Sequence, residues 1–308
     1  MAFLCIYIVL AGFIIMGKSH LHAAKAKQAD EFYTQLCDIE AELKHYNFSG
    51  KIVYCPCDDA GWSNFWRYFV VNFGRLGLRR VISTCFMGRD KVEFDGVEVV
   101  RTPLRTAELG VVRGDFWSAE CQGLLHECDV VVTNPPFSKG VEFIETVIGS
   151  GKGLIILMHQ TALGGDRVFN MFKDGVVWLG SESGKNMWFE VPEGYDRPTK
   201  SGIKHEGGKK FFSMCGIVWY VSYGEPRYPE PLRLTCRFSK GKYPQYSNED
   251  GVDVSRTQDI PFDYDGLMGV PVSFLLRWNP AQFELLRLIN PMIGLKQLFT
   301  RVLVRRKR

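Results

Sequence analysis

The sequence has no internal repeat and no low-complexity tract, which excludes a solenoid and a disordered chain. It lacks a strong charge of either sign: 38 Lys and Arg stand against 34 Asp and Glu. A nucleic-acid-binding face therefore has to come from local clustering. A disulfide framework is missing too, because the nine cysteines follow no regular spacing. Cys55, Cys85 and Cys215 sit in apolar runs and read as buried thiols of a reducing compartment, with the cytoplasm as the expected location. Nor is there a zinc knuckle. Cys55-Pro56-Cys57 has the wrong spacing and no second Cys/His pair stands at a matching distance, so no metal is expected.

What is present is a chain of 308 residues with 46% hydrophobic content, ample for one large packed domain or two modest ones. Residues 1–17, "MAFLCIYIVLAGFIIMG", are uncharged and apolar, short for a membrane span and without the basic leading region of a signal peptide. The expectation is a start at Met16, with a membrane anchor or an uncleaved signal as the alternatives.

Beyond this segment, "QLCDIEAELKHY" has helical spacing with Thr34 as the expected N-cap. "GKIVYCPCDD" reads as a strand closing on a polar turn. "SNFWRYFVVNFGRLGL" reads as an amphipathic helix ended by Gly77, and "RRVISTCF" as a second strand, which completes a β-α-β unit. "KVEFDGVEVVRTPL" predicts a hairpin turning at Asp95-Gly96. The helix "AECQGLLHE", the strand "DVVVTNPPF", the helix "VEFIETVIGS" and the apolar strand "GKGLIILMHQ" follow. Strands alternating with helices predict a doubly wound α/β sheet. From Gly175 the chain turns β-rich and aromatic, and after Gly224 it looks irregular up to "LFTRVLVRRKR".

The stretch "VVVTNPPF" carries the chemistry. Ligands of open α/β sheets bind outside the carboxyl ends of strands, and residues 134–137 lie at such an end. Pro135 and Pro136 fix two φ angles and remove two amide donors, so nearby carbonyls point in set directions. Asn134 adds a side-chain acceptor and Phe137 a flat apolar face. Two convergent acceptors beside a stacking platform suit a planar exocyclic amino group. Drawing its hydrogens toward oxygen makes the nitrogen a better nucleophile as charge develops during methyl attack. An adenine in duplex DNA would have to flip out to reach such a pocket.

With these residues in view, the chain resembles the S-adenosylmethionine-dependent amino-methyltransferases, and among them the EcoRI-type adenine-specific DNA methyltransferases. "AKQADEFYTQLCDIEAEL", "YCPCDD", "SNFWRYFVVNFGRLGL", "GDFWS", "VVVTNPPF", "MWFEVP", "YDGLMGVPVSFL" and "RVLVRRK" look like that family's segments in the same order. The resemblance implies a Rossmann-like methyltransferase sheet with a β-rich C-terminal target-recognition extension. It places the catalytic domain at residues 18–224 and a DNA-recognition extension at 225–308. It implies Tyr33 and Thr34 around the methionine end of S-adenosylmethionine, and Cys57, Asp58 and Asp59 on the loop after the first strand, where carboxylates meet its ammonium or ribose. Asp115 falls where the family binds the cofactor's adenine amino group, with Phe116 against the ring. Asn134, Pro135, Pro136 and Phe137 form the catalytic turn.

Two features depart from related enzymes. The first loop, "CPCDDAGWS", has only Gly61 where many methyltransferases are glycine-rich, and the second strand ends in Ser83 and Thr84 instead of a ribose-binding acid. "RPTKSGIKHEGGKK" and the basic C-terminus are candidate phosphate contacts to double-stranded DNA. The alternatives are methylation of an RNA base or protein amide nitrogen, and a catalytically silent DNA-binding module.

Overall fold

The computed structural model describes residues 33–104, 113–191 and 202–307. The chain divides into two compact units, one of residues up to 158 with 185–224, the other of 159–184 with 225–308. The segment 159–184 thus clusters with the C-terminal part, although in sequence it interrupts the first unit.

The first unit begins with β1 (Tyr33–Thr34) and α1 (Leu36–Leu43). Thr34 is not the N-cap of α1. It pairs with Phe189 in a small sheet, and Gln35 takes the cap position without a side-chain cap bond. β2 (Ile52–Cys55), α2 (Asn64–Val71), α3 (Phe73–Leu76) and β3 (Arg80–Ser83) form the expected β-α-β unit. Ser63 caps α2 by accepting from the amides of Phe65 and Trp66, and Gly77 ends α3 at a φ of 63°. The single helix expected here breaks at Asn72. Its Nδ2 donates to the Tyr68 carbonyl at 2.9 Å, and its own backbone leaves the helical region.

The hairpin of β4 (Asp90–Phe94) and β5 (Val99–Pro103) forms as expected, with Asp95 Oδ1 accepting from the amides of Val97 and Glu98. Then come α4 (Ala119–Glu127), β6 (Val130–Thr133), α5 (Gly140–Gly149) and β7 (Gly153–His159). The segment 159–184 contributes α6 (Asp166–Lys173) and β8 (Trp178–Leu179) to the other unit. β9 (Met187–Val191), β10 (Ile203–Glu206), β11 (Lys209–Met214) and β12 (Ile217–Val221) complete the first unit. Cys215, expected to be buried, is exposed at the turn between β11 and β12, where Gly216 takes a φ of 81°.

The main sheet of this unit runs β5-β4-β3-β2-β6-β7-β12. β2 lies parallel to both β3 and β6, and β6 parallel to β7. The chain moves outward from β2 to β3 on one side and then resumes at β6 on the other. The carboxyl end of β2 is therefore a topological switch point, where such sheets open a ligand crevice. The valines of β6 are fully buried, each contributing about 1.5–3 kcal/mol by leaving water. A second, antiparallel sheet runs β1-β9-β11-β10.

The C-terminal part is more regular than expected. β13 (Val252–Asp253), β14 (Met268–Pro271), β15 (Phe283–Ile289) and β18 (Arg301–Arg306) build a sheet in the order β13-β14-β18-β15. β16 (Met292–Ile293) and β17 (Lys296–Gln297) form a short hairpin. The strand pattern of β15 escapes period-2 reading because its register shifts between Leu285 and Arg287. Among the described residues no helix is long and apolar enough to cross a membrane; residues 1–17 lie outside them.

Candidate active site

The loop after β2 and the turn after β6 meet at the switch point. The Asp58 amide donates to the Thr84 carbonyl at 2.9 Å, and Ser83 Oγ donates back to the Asp58 carbonyl. Thr84 Oγ1 donates to the Pro56 carbonyl at 3.3 Å and lies 2.8 Å from the Tyr54 hydroxyl. Burial pushes the Tyr54 phenol well above its ordinary pKa, so it stays protonated. Ser83 and Thr84 thus brace this loop.

The expected cofactor residues divide into two groups. Asp58 is only 5% exposed. Its Oδ1 accepts from Ser63 Oγ at 2.5 Å and its Oδ2 from Thr133 Oγ1 at 2.6 Å. Cys57 and Asp59 are partly exposed on the same loop, and Asp59 Oδ1 accepts from the Gly61 amide at 2.6 Å. Thr34 is brought alongside by Asn64, which donates to its carbonyl at 2.8 Å from the first turn of α2. The Thr34 hydroxyl oxygen is buried and has no hydrogen-bond partner among the described residues. Tyr33 pairs through its backbone with Glu190; its side chain and residues 30–32 lie outside the described residues.

In the turn itself Pro135 is buried, while Asn134, Pro136 and Phe137 are partly exposed. The Pro136 carbonyl accepts from the Lys139 amide at 3.0 Å. Among the described residues the Pro135 carbonyl accepts no hydrogen bond. α5 follows at once, packed closely on the sheet: a Cβ on Gly140 would lie 2.3 Å from Met158 Sδ on β7, so that side chain would have to shift. Gly114 is far more constrained, with a φ of 67° and a Cβ that would lie only 2.0 Å from the backbone carbonyl of Cys85. That contact seats "GDFWS" against the end of β3. Asp115 is partly exposed, its Oδ1 accepting from the Trp117 amide at 3.1 Å. Phe116 is buried, with its ring centroid 4.2 Å from that of Phe143 on α5, so it packs against the helix that follows the turn at residues 134–137. Among the described residues no cluster of three His, Cys, Asp or Glu could hold a metal.

The basic segments tell a different story from the one their sequence suggests. Part of the loop "RPTKSGIKHEGGKK", up to residue 201, lies outside the described residues; beyond it Lys204 pairs with Glu206 and Lys209 with Glu190. In the tail, Arg301, Arg305 and Arg306 have acidic partners in Asp253, Glu284 and Asp265. A third basic stretch escaped notice. Residues 231–248, "PLRLTCRFSKGKYPQYSN", contain no acid; Arg233, Arg237 and Lys240 are exposed along them, Arg237 facing Asp263 from outside the stretch at 3.4 Å. The run free of acids was the available signal, hidden by prolines that read only as irregularity.

Residues 20–307 match the family described as adenine-specific methyltransferase EcoRI. The chain is 38% identical over 288 residues to the type II methyltransferase M.EcoRI of Escherichia coli, covering 87% of this chain and 88% of that one. It is 36% identical over 297 residues to the type II methyltransferase M.MpnI of Mycoplasma pneumoniae, covering 93% and 91%. To M.MgeORF184P of Mycoplasma genitalium it is 35% identical over 296 residues, covering 93% and 92%. No solved structure matches the chain. A match that runs through the β2 loop, the turn after β6 and the C-terminal sheet alike leaves no part of the described architecture outside it: the chain belongs to the EcoRI family of adenine-specific methyltransferases.

Proposed function

We propose that the protein transfers a methyl group from S-adenosylmethionine to the N6 amino group of an adenine flipped out of duplex DNA. The observation that carries this reading is the position of residues 134–137 at the carboxyl end of β6, beside the switch point, with the Pro135 carbonyl not engaged by any described residue. Asn134 and the Pro135 carbonyl accept the two amino hydrogens and draw nitrogen toward tetrahedral geometry, and Phe137 stacks the base. The amino proton leaves to solvent after transfer, and no residue is assigned as a general base.

The cofactor fits the residues present, because the buried Thr34 hydroxyl suits a ligand that brings its own polar group. S-adenosylmethionine supplies an electrophilic methyl group on a cationic sulfonium. Tyr33 and Thr34 wall its methionine end, and Cys57 and Asp59 meet its ammonium or ribose. Asp115 accepts from its adenine amino group, with Phe116 supporting that segment through α5. Arg233, Arg237 and Lys240 contact DNA phosphates, which position a protein without reading sequence.

The test is transfer of labelled methyl from S-adenosylmethionine to duplex DNA, RNA and protein in parallel. N6-methyladenine in the DNA alone is expected. Label confined to RNA or protein, or DNA binding without transfer, would overturn the reading.

A further inference from the structure

We propose that Asp58 is a positioning residue that ties the catalytic turn to the loop after β2, acting through Thr133 and Ser63 rather than by touching the cofactor. The proposal rests on the methyl-transfer reading above and deepens it. Both carboxylate oxygens of Asp58 are engaged inside the protein, Oδ1 by Ser63 Oγ at 2.5 Å and Oδ2 by Thr133 Oγ1 at 2.6 Å. All three residues are buried, at 5%, 3% and 0% exposure.

Each partner occupies a decisive position. Thr133 is the last residue of β6 and is bonded covalently to Asn134. Ser63 is the N-cap of α2, whose first residue, Asn64, holds the Thr34 carbonyl at 2.8 Å. The Asp58 backbone is itself fixed to the end of β3 through Ser83 and Thr84. One carboxylate therefore joins the β2 loop, the catalytic turn and the helix that carries the N-terminal segment. Charge-assisted bonds of this kind are short and strongly oriented, so they set distance as well as stability. Methyl transfer is steep in that distance, since a displacement of about 1 Å can cost on the order of 100-fold in rate.

Thr133→Val keeps the side-chain shape and deletes one bond; Thr133→Ser keeps the hydroxyl. Asp58→Asn alters the same pair from the other side, should the valine variant fold poorly. Thr133→Val and Asp58→Asn are expected to lower kcat by roughly 10-fold or more while KM for S-adenosylmethionine and DNA moves by about twofold or less. Thr133→Ser should restore kcat. In the free protein, amide hydrogen exchange of a peptide covering residues 133–139 should quicken in Thr133→Val and Asp58→Asn and return to the wild-type rate in Thr133→Ser.

An unchanged kcat, or a rise in KM for S-adenosylmethionine alone, would overturn the proposal, the latter by making Asp58 a direct cofactor contact. Unchanged exchange at the turn would overturn it without reference to activity. A wild-type protein that methylates no DNA adenine would refute the proposed function instead, and the exchange measurement would still decide whether Asp58 holds the turn.

Discussion

The polar groups at the strand ends of the first unit are buried and bonded to one another, whereas most charges of the C-terminal unit stand in pairs near the surface. Asp58, Ser63, Ser83, Thr84 and Thr133 are all nearly inaccessible and satisfy each other across three strands. Arg305 with Glu284, Arg256 with Asp259 and Arg287 with Glu249 keep much of their arginine side chains in water. Buried networks fix geometry because any unpaired member is costly, while exposed pairs are screened and interchangeable. The first arrangement suits chemistry that needs fixed atoms. The second leaves side chains free to rearrange.

One site in the C-terminal unit breaks that contrast and offers the largest effect. Asp253 is 4% exposed and accepts from Arg301 Nε at 3.0 Å, Tyr246 Oη at 2.9 Å and Ser255 Oγ at 2.7 Å. Burial and the Asp253 charge push the Tyr246 phenol far above its ordinary pKa, so it remains a donor. Asp253→Ala leaves the largely covered side chain of Arg301, 13% exposed, without its counter-ion and is expected to cost about 3–5 kcal/mol in urea denaturation. A loss below about 1 kcal/mol would place the site with the surface pairs.

On the catalytic side, Asn134→Ala is expected to lower kcat for N6-adenine methylation by about 10²–10³-fold, the usual effect of removing one group aimed at developing charge. Cofactor binding, followed by calorimetry, should be largely retained. Full activity in this variant would remove Asn134 from the mechanism.

The two regions also differed in how far their sequence could be read. β2, β3, β6 and β7 were legible because parallel strands covered on both faces are continuous apolar runs, and the turn at Asn134 because two prolines there have no structural use in a strand. The hydrogen bonds of Asp58 were not legible. Its partners Ser63 and Thr133 lie 5 and 75 residues away, and an acid after a strand reads equally as a ligand contact. Nothing local reveals the contact of Phe116 with Phe143 on α5 either. In the C-terminal unit β15 was missed because a bulge interrupts its alternation, and the tail looked like free positive charge because its acidic partners are 21 to 48 residues distant.

That last point can be tested by comparing two sets of basic residues. Arg233→Gln and Lys240→Gln together are expected to reduce the slope of log affinity against log salt by about 1 for each charge, evenly across DNA sequences. Arg305→Gln with Arg306→Gln should move it by less, since both arginines already face carboxylates. Fluorescence anisotropy titrations at several salt concentrations read both. A larger slope change from the tail pair would restore the tail as the main phosphate contact.

The smallest expected effect concerns acid pH. Arg256, and after it Lys242, hold the Asp259 carboxyl below the usual carboxylate range. A folded-state pKa depressed in this way stabilises the protein above the unfolded value, and the contribution disappears as pH falls through the folded one. Wild type should therefore exceed Asp259→Asn slightly in urea midpoint at neutral pH, with the gap closing as the solution is taken below the ordinary range of an aspartate. In added salt the gap should also shrink, because these cations lie near the surface. A gap that persists unchanged in acid would mean that Asp259 acts through its neutral hydrogen bonds. This corner of the C-terminal unit would then be built like the strand ends of the first.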